Sequence, residues 1–567
     1  MRVIAAFVAR HGYWASDRSL ALYRILFSLG VLLMVTPSGT LALAGIPDSM
    51  YHPPLGPMML FSGWPDRDVL LLLELAVQLL LVCVLFGAWT RQASIGLALA
   101  GGLLAGFRYS AGKIDHELVI VVAVPLLMAF TSWGHRWSVD ARRAVVRASK
   151  DFRAPATNAL FALALTIGAS YFTSGFAKGL TGWLDPSGGA TRSWLLTYLH
   201  QYRWAPNEVN TLIAQIDSTL LWNLIDAASV VLEAGVLVAA LRRRWFVRYL
   251  LLLVGFHLSV YALFSINFSR LLLVYLAFIH LDRLATWLRL DAIDRIRTPV
   301  LAGALGVTAV GIGWGYLADE EPVRLLRSLG RHVPVSNAIW IPGVVVAGIL
   351  IREVVIAVRR RRSGERLSLP PTVDTRTPAV PDSRVATTVA GTVGGILVAQ
   401  LALMFTVAEP YPAPTGPLFM GNRATPDGVV VFQQYMAVEV DGERNSTRAV
   451  HVLPVESGYV TNLRQVRFPM PDVDPDGQLV DPDAAMITRL PLMGHRFSSD
   501  HLPGYDGPLD EEAAAWVRGG LEGAGIECTD DCNLVVAWIR EYLDPTTGEV
   551  IEGSRELLER RRWDLVP

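Results

Sequence analysis

The clearest pattern along the chain is a series of long apolar runs separated by short polar segments. A helix needs about 20 apolar residues to cross a hydrocarbon core about 30 Å thick. We count eleven candidate runs, near 19–38, 67–88, 92–109, 117–134, 157–177, 221–241, 248–267, 270–288, 299–317, 338–358 and 385–408. Several are short or interrupted by polar residues. The pattern therefore predicts an all-α polytopic membrane bundle with about 9–11 transmembrane helices.

Composition supports a membrane protein. Of the 567 residues, 52% are hydrophobic and only 18% are charged, and the mean hydropathy is +0.38, which is too apolar for an ordinary soluble protein. The formal net charge of −1 argues neither for nor against nucleic acid. We expect the lipid bilayer as the main partner and no nucleic acid.

Basic residues indicate an orientation. Arg2, Arg10 and Arg18 precede the first run, and further basic segments occupy 136–153, 242–248 and 359–362. With eleven helices and a cytoplasmic N-terminus, all of these segments lie on the cytoplasmic side, as positively charged loops usually do. The first apolar run begins late and lacks a small-residue cleavage site, so no cleavable signal peptide is expected. We predict a multi-pass protein of the cell membrane.

The distribution of apolar runs, which stop near residue 408, divides the chain into three parts. Residues 1–290 and 291–408 form the predicted helical bundle, the second part with a basic cytoplasmic loop. Residues 409–567 are polar and are predicted to be a small extracytoplasmic α+β or β-rich domain. Its expected elements are a hairpin around Asp441-Gly442, a strand over CNLVVAWIREYL and a helix from Asp510 to Gly523.

The cysteines and acidic residues of the last part suggest little further chemistry. Cys528 and Cys532 are interpreted as a local disulfide, with a redox-active pair as the alternative. The acidic run 472–483 lacks the spacing and the closing glutamate of a calcium loop, so we interpret it as a solvated loop. No metal site is predicted.

A lysine at the end of the fifth apolar run is the main candidate for chemistry. Lys178 lies in YFTSGFAKGLTGW, where the ammonium is expected to be partly desolvated, and desolvation favours the neutral amine that can act as a base. The alternative is a lysine that extends to the membrane surface and marks the helix end. His116 in a polar cluster and His257 within the seventh run are further candidates, although a buried histidine is usually a satisfied core residue.

Several other polar residues lie inside or beside the apolar runs. Arg24 comes one turn into the first run and faces either protein, a polar head group or the cytoplasmic surface. Glu74 and Glu233 are intramembrane carboxyls, which are functional candidates or partners of an arginine. Asp115 precedes His116, and Trp183 opens an aromatic outer loop expected to form interfacial helices on the membrane.

Four segments in order resemble one membrane protein family. LALYRILFSLG, WGHRWSVD, YFTSGFAKGLTGW and HLSVYALFSI are similar to segments of the HTTM (horizontally transferred transmembrane) family, to which the vitamin K-dependent gamma-carboxylases belong. The resemblance covers about residues 18–290. It implies reduced vitamin K or menaquinol as cofactor, Lys178 as the base that deprotonates the hydroquinone, and His116 and His257 near the quinone oxygens. Arg24, Asp115 and Trp183 are the residues expected to bind the cofactor.

The resemblance also implies what the reaction would achieve. Oxygen adds to the deprotonated hydroquinone, and the strong base so formed removes a γ-proton from a glutamate of a protein or peptide substrate, whose carbanion captures carbon dioxide. This chain departs from that pattern at Asp115, where the carboxylases have asparagine, and at Val260 and Ala262, where they have polar residues. Beyond residue 290 the likeness fades.

Two functional hypotheses follow. The first is a quinol-dependent membrane enzyme, either a quinone epoxidase or a gamma-carboxylase-like lyase, with Lys178 as base. The second is a non-enzymatic membrane scaffold, an assembly factor or a transport-like protein that presents the outer domain. The sequence shows no inverted repeat, which argues against transport.

Overall fold

A computed structural model describes most of the predicted bundle and parts of the C-terminal domain. The described residues are 13, 15–34, 40–54, 56–111, 116–143, 156–186, 189–201, 207–266, 268–317, 424–425, 427–447, 452–453 and 509–565, with single positions at 348, 351, 355 and 395. The predicted runs 338–358 and 385–408 lie outside the described residues apart from those single positions. Asp115 and the acidic run 472–483 also lie outside them.

The described part of the bundle consists of helices of very different length. The longer ones are α1 (Asp17–Met34), α2 (Arg67–Phe86), α3 (Thr90–Tyr109), α4 (His116–Met128), α5 (Ala156–Leu180), α8 (Thr219–Ala240), α9 (Arg243–Phe264) and α12 (Thr298–Leu317). The others are α6 (Ala190–Gln201), α7 (Glu208–Ala214), α10 (Ser269–Tyr275) and α11 (Asp282–Trp287).

Five of these helices have the length and composition of membrane spans. They are Arg67–Phe86, Ala159–Leu180 within α5, Thr219–Ala240, Arg243–Phe264 and Thr298–Gly315 within α12. A sixth apolar segment, Glu117–Met128, is shorter and contains Pro125. The prediction of a largely helical chain with apolar helices of membrane length is confirmed for these five, and the larger number of spans stays a prediction.

The eighth predicted run, 270–288, is wrong as a single helix. It divides into α10, a 3₁₀ turn at Leu276–Phe278 and α11. The chain is extended at Ile279. The hydroxyl of Ser19 on α1 forms hydrogen bonds with backbone groups at this break. This hydroxyl donates to the carbonyl of Ile279 at 3.1 Å and accepts the Leu281 N–H at 2.8 Å. The break is stable because a neighbouring helix satisfies the released backbone groups.

Helix α5 lies at the centre of the bundle, between α4 and α8. It runs antiparallel to α8, and two glycines allow their backbones to approach. A Cβ atom on Gly168 would lie 2.9 Å from the Cα of Leu237, and one on Gly175 would lie 2.5 Å from the Ala234 nitrogen. Since real Cβ atoms do not come so close to backbone, only glycine fits at these two positions at this helix separation.

The C-terminal residues form an antiparallel sheet and one helix. Strands β1 (Ala424–Thr425), β2 (Gly428–Val440), β4 (Cys532–Leu543) and β5 (Glu556–Asp564) are adjacent in that order, and β3 (Glu443–Thr447) pairs with β2. The predicted hairpin is confirmed, with Asp441 and Gly442 both at positive φ. Helix α13 (Glu511–Gly523) begins after Asp510, whose side chain accepts the Ala513 N–H at 2.7 Å. The predicted Cys528–Cys532 disulfide is present.

The sheet packs against helix α6 of the bundle. Leu195 and Leu196 of α6 share one buried apolar cluster with Phe264, Val429 and Val431. Helix α6 contacts α8, α9 and β2 at once, so protein covers most of it. The expectation that the segment after Lys178 forms interfacial helices on the membrane stays a prediction. Tyr202 and Trp204 of this segment lie outside the described residues.

Candidate functional site

The candidate site is formed where α5 meets α8. Tyr171 and Lys178 are seven residues apart on α5, and Asp226 and Glu233 are seven residues apart on α8. Residues at this spacing share one face of a helix, about 10 Å apart along its axis. The antiparallel crossing of the two helices therefore brings two pairs of polar side chains together inside an apolar bundle.

Lys178 forms a buried ion pair with Glu233. Its Nζ atom lies 2.7 Å from Oε1 of Glu233, and the two side chains are only 3% and 6% exposed. The ring of Trp183 covers the ammonium, with 4.7 Å between Nζ and the ring centroid. The alternative that Lys178 extends to the membrane surface is therefore wrong. Its charge is held inside the protein by a carboxylate and an aromatic face.

A second carboxyl group, Asp226, lies within electrostatic range of Lys178. Its Oδ1 atom accepts the backbone N–H of Thr191 at 2.8 Å and also the Thr191 hydroxyl. Its Oδ2 atom is buried and has no hydrogen-bond partner among the described residues. We did not predict this residue, although a carboxyl inside the apolar run TLLWNLIDAASVVLEAG was a signal for it.

His257 belongs to a hydrogen-bonded group with two tyrosines. The hydroxyl of Tyr171 contacts Nε2 of His257 and lies 2.8 Å from the hydroxyl of Tyr275, and Nε2 of His257 lies 3.1 Å from the same Tyr275 hydroxyl. All three side chains are buried. The Nδ1 atom of His257 has no hydrogen-bond partner within the described part of the chain. The tyrosines were not predicted, since a tyrosine in an apolar run is compatible with ordinary core packing.

Tyr171 lies on the same helix as Lys178 and contacts His257. The carboxyl groups of Glu233 on α8 and Glu117 in the first turn of α4 are buried and act electrostatically on its hydroxyl. The structure thus buries both Lys178 and His257, the first paired with Glu233 and the second bonded to Tyr171. His116 begins helix α4 next to Glu117, but its side chain lies outside the described residues, as does all of Asp115.

Arg24 and Trp183, the other expected cofactor-binding residues, differ in position. Trp183 lies directly on Lys178. Arg24 is fully buried, and its guanidinium donates to the carbonyls of Val84 at 3.1 Å and Trp137 at 2.7 Å. These bonds join α1 to the end of α2 and to the loop after α4. The structure therefore gives Arg24 a role in holding helices together, which the sequence did not indicate.

The arrangement is suited to proton transfer. It contains one buried cation, three buried carboxyl groups and a histidine bonded to two hydroxyls, all within an apolar bundle. Among the residues that the structure describes, no group of three or more histidine, cysteine, aspartate or glutamate side chains could hold a metal ion. The buried amine, carboxyl groups, imidazole and hydroxyls are all groups that take part in acid–base chemistry.

We compared the chain with protein-family models, with curated proteins and with solved structures, and none of the three comparisons finds a match.

Proposed function

We propose that the protein is an integral membrane enzyme in which Lys178, paired with Glu233, removes a proton from an apolar hydroxylated substrate of the hydroquinone class. Reduced vitamin K and menaquinol are the substrates to test. One observation carries the proposal, namely the 2.7 Å ion pair between two side chains that are 3% and 6% exposed. A coupled glutamate carboxylation, as in the gamma-carboxylases, would be a later step on a protein or peptide substrate.

The cost of burying this pair supports a functional role. Removing two charges from water costs several kcal/mol per ion, and their attraction often fails to compensate for it. Charged side chains inside a membrane bundle accordingly tend to mark functional sites. Transfer of one proton from Nζ to the Glu233 carboxylate converts the pair into an amine and a carboxylic acid without changing the net charge. The neutral amine is a base that can take a proton from a substrate hydroxyl.

The surroundings of the pair fit a hydroxylated aromatic substrate. The buried Oδ2 atom of Asp226 can accept a hydrogen bond from a substrate hydroxyl. Trp183, Ala190 and Val230 form an apolar cluster beside Lys178 that would exclude water from a deprotonated substrate. A bound hydroquinone would supply the acidic hydroxyls and the reducing equivalents. Lys178, Glu233 and Asp226 would orient it and move its proton.

The group around His257 can take up a proton inside the bundle. A hydroxyl can donate one hydrogen bond while it accepts another, so Tyr171 can exchange a proton with Nε2 of His257. Tyr275 contacts both and holds the imidazole ring in place. We assign Tyr171 and Tyr275 as positioning residues of the site.

The decisive experiment is mass spectrometry of the quinone products. Full-length protein in lipid would receive reduced vitamin K or menaquinol together with oxygen, and the epoxide would be measured. The wild type is expected to form epoxide. Lys178→Arg and Lys178→Ala are expected to reduce the rate at least about 100-fold, the usual scale of a lost general base. Lys178→Arg is the informative variant, because a guanidinium retains the pairing with Glu233 but does not give up its proton.

The second hypothesis makes the opposite prediction for the same variants. If the ion pair only clamps α5 to α8, the protein is a scaffold that presents the outer sheet. Lys178→Arg would then behave as the wild type, whereas Lys178→Ala would lower the apparent melting temperature by leaving Glu233 buried without its cation. A wild type that forms no epoxide from either quinol would also contradict the proposed chemistry.

A further inference from the structure

A second polar feature of the bundle lies away from Lys178. Helices α1 to α4 enclose a cavity with about 660 Å³ of empty space, counting the part open at its mouth. Most of its wall is aliphatic, and side chains such as Leu81, Leu97, Leu104 and Val121 face it. Lys178, Glu233 and His257 are not part of this wall. The cavity is therefore separate from the site proposed above.

The charged groups of the wall lie towards one end of the cavity. Thr40, Glu74 and Arg108 form this end, and the Thr40 hydroxyl donates to the Glu74 carboxylate, while Gln78 lies one turn further along α2. Glu74 and Gln78 are 5% and 3% exposed, although they lie within the most apolar of the candidate spans. The opposite end is formed by Leu81, Leu97 and Pro125. The cavity thus has one polar and one aliphatic end.

The length of the cavity can be estimated from helix α3. Arg108 at the polar end and Leu97 at the aliphatic end are eleven residues apart on this helix, which corresponds to about 16 Å. Half of a bilayer's hydrocarbon core is about 15 Å thick. A cavity of this length therefore matches one aliphatic chain of a membrane lipid, with a headgroup at the polar end.

We propose that this cavity binds a single-chain amphiphile with an uncharged, hydroxyl-bearing headgroup. The polar end combines one carboxylate with one guanidinium, so a charged headgroup of either sign would meet a like charge in a desolvated site. A hydroxyl avoids this conflict, because it can donate to the Glu74 carboxylate and accept from Arg108. The chain lies along the aliphatic wall between α2, α3 and α4.

Gly101 makes the proposal testable. It lines the cavity, and a Cβ atom built on it would meet only Cγ2 of Val122, at an ordinary contact distance of 3.9 Å. A methyl group therefore fits at this position, while a leucine side chain would extend into the cavity and fill it. Helix α3 should tolerate both changes, because alanine and leucine favour a helix over glycine by up to about 1 kcal/mol.

The experiment is photo-cross-linking in lipid nanodiscs. A 1-acylglycerol with a diazirine near the end of its chain is the probe, and the labelled peptides are identified by mass spectrometry. The wild type is expected to carry the label on α3 and α4 at the cavity wall. Gly101→Leu is expected to reduce this labelling about tenfold, which corresponds to a binding loss of about 1.4 kcal/mol. Gly101→Ala should be labelled as strongly as the wild type.

A matched variant distinguishes labelling inside the cavity from labelling at the lipid-facing surface. Leu99 lies two positions from Gly101 on the same helix and is 68% exposed, so Leu99→Phe should leave the cavity label unchanged. Equal labelling of wild type and Gly101→Leu would overturn the proposal and assign the label to bulk lipid. Oleate, which has a charged headgroup, should compete with the probe less well than an unlabelled 1-acylglycerol does. Equal competition by the two would contradict the proposal that the headgroup is uncharged. If Gly101→Leu does not fold, Val122→Phe fills the same space from α4.

Discussion

At the residue scale, two buried cations of the bundle are satisfied by different kinds of acceptor. Arg24 donates to backbone carbonyls at 2.7 and 3.1 Å, and these acceptors cannot take up a proton at neutral pH. Lys178 is bound to the Glu233 carboxylate, and a carboxylate can take up a proton. Because arginine also does not give up its proton in proteins, the first arrangement is fixed, whereas the second can change its protonation. This difference separates a structural residue from a candidate catalytic one.

His52 allows a prediction about pH at the same scale. It lies in the loop between α1 and α2, where its backbone N–H donates to the Ser110 carbonyl at 2.8 Å. Burial lowers the pKa of its imidazole from 6.5 to about 4. The unfolded chain therefore binds a proton here more readily than the folded protein does. The stability due to neutral His52 is complete above pH 6.5 and is lost progressively as the pH falls towards 4.

The matching measurement compares wild type with His52→Gln by thermal unfolding in detergent at several pH values. The glutamine does not titrate, so the wild type should lose about 1–2 kcal/mol more than the variant between pH 7.5 and pH 4.5, after discounting the shift for the partial exposure of the ring. Parallel curves for the two proteins across this range would show that His52 is protonated equally in the folded and unfolded states.

The individual residues of the site were only partly predictable. Lys178, Glu233 and His257 could be recognised because each is a polar residue inside an apolar run. Their partners could not, because pairing depends on how α5, α8 and α9 cross, and a sequence read along one helix does not contain that information. Tyr171 and Tyr275 were missed for a related reason, since tyrosine packs well in apolar surroundings and its hydroxyl becomes informative only beside His257.

At the element scale, the separation between α5 and α8 controls the Lys178–Glu233 pair. Gly175 faces the α8 backbone one turn before Lys178, and Gly168 does so two turns earlier. The apolar pattern predicted α5 and α8 almost to their ends, because length and hydropathy are local properties of the sequence. It did not predict the break between α10 and α11, because that break depends on Ser19, which lies on a different helix.

Substitution of Gly175 tests the control of this pair by helix separation. A Cβ atom at this position would lie 2.5 Å from the Ala234 nitrogen and 2.9 Å from the Val230 carbonyl oxygen. Because backbone atoms cannot move aside as a side chain can, Gly175→Ala should push the helices apart at a cost of about 1–3 kcal/mol. It should also reduce the epoxidation rate, because the Lys178–Glu233 contact is lengthened.

Gly179 provides the control on the same helix. Its added Cβ atom would meet Cγ1 of Val230 at 3.5 Å and Cδ1 of Leu184 at 3.9 Å, both ordinary contact distances, so Gly179→Ala should unfold at the temperature of the wild type or slightly above it. The measurement is the apparent melting temperature of both variants together with their rate. If the two alanine variants behave alike, the close approach at Gly175 does not determine the geometry of the ion pair.

At the scale of the whole molecule, the bundle and the C-terminal sheet are connected by direct contacts. His200 at the end of α6 lies 2.7 Å from the Glu541 carboxylate on β4, and Gln201 donates to the Phe432 carbonyl on β2 at 2.8 Å. The sheet is therefore attached to the bundle through the last turn of α6. The sequence predicted both parts, because each has its own local pattern. It could not predict the contact between them, because the contacting residues are far apart in the chain.

This contact leads to a prediction about orientation. The basic loop after α4 and the sheet should lie on opposite sides of the membrane, with the sheet outside. Single cysteines would replace Glu552, an exposed residue after β4, or Arg143, an exposed residue of the loop, in a chain with Cys83 changed to alanine. An impermeant maleimide added to intact cells should label the first cysteine at once and the second only after permeabilisation. The reverse order of labelling would contradict the proposed orientation.

The contact between His200 and Glu541 also has a consequence for biosynthesis. The two residues are separated by 341 positions in the chain. At synthesis rates of about 5–20 residues per second, α6 leaves the ribosome roughly 20–70 s before β4 exists. During that time the apolar residues of α6 that later contact the sheet are not yet covered by its strands. This surface of α6 must therefore stay open until a later part of the chain supplies the strands that cover it.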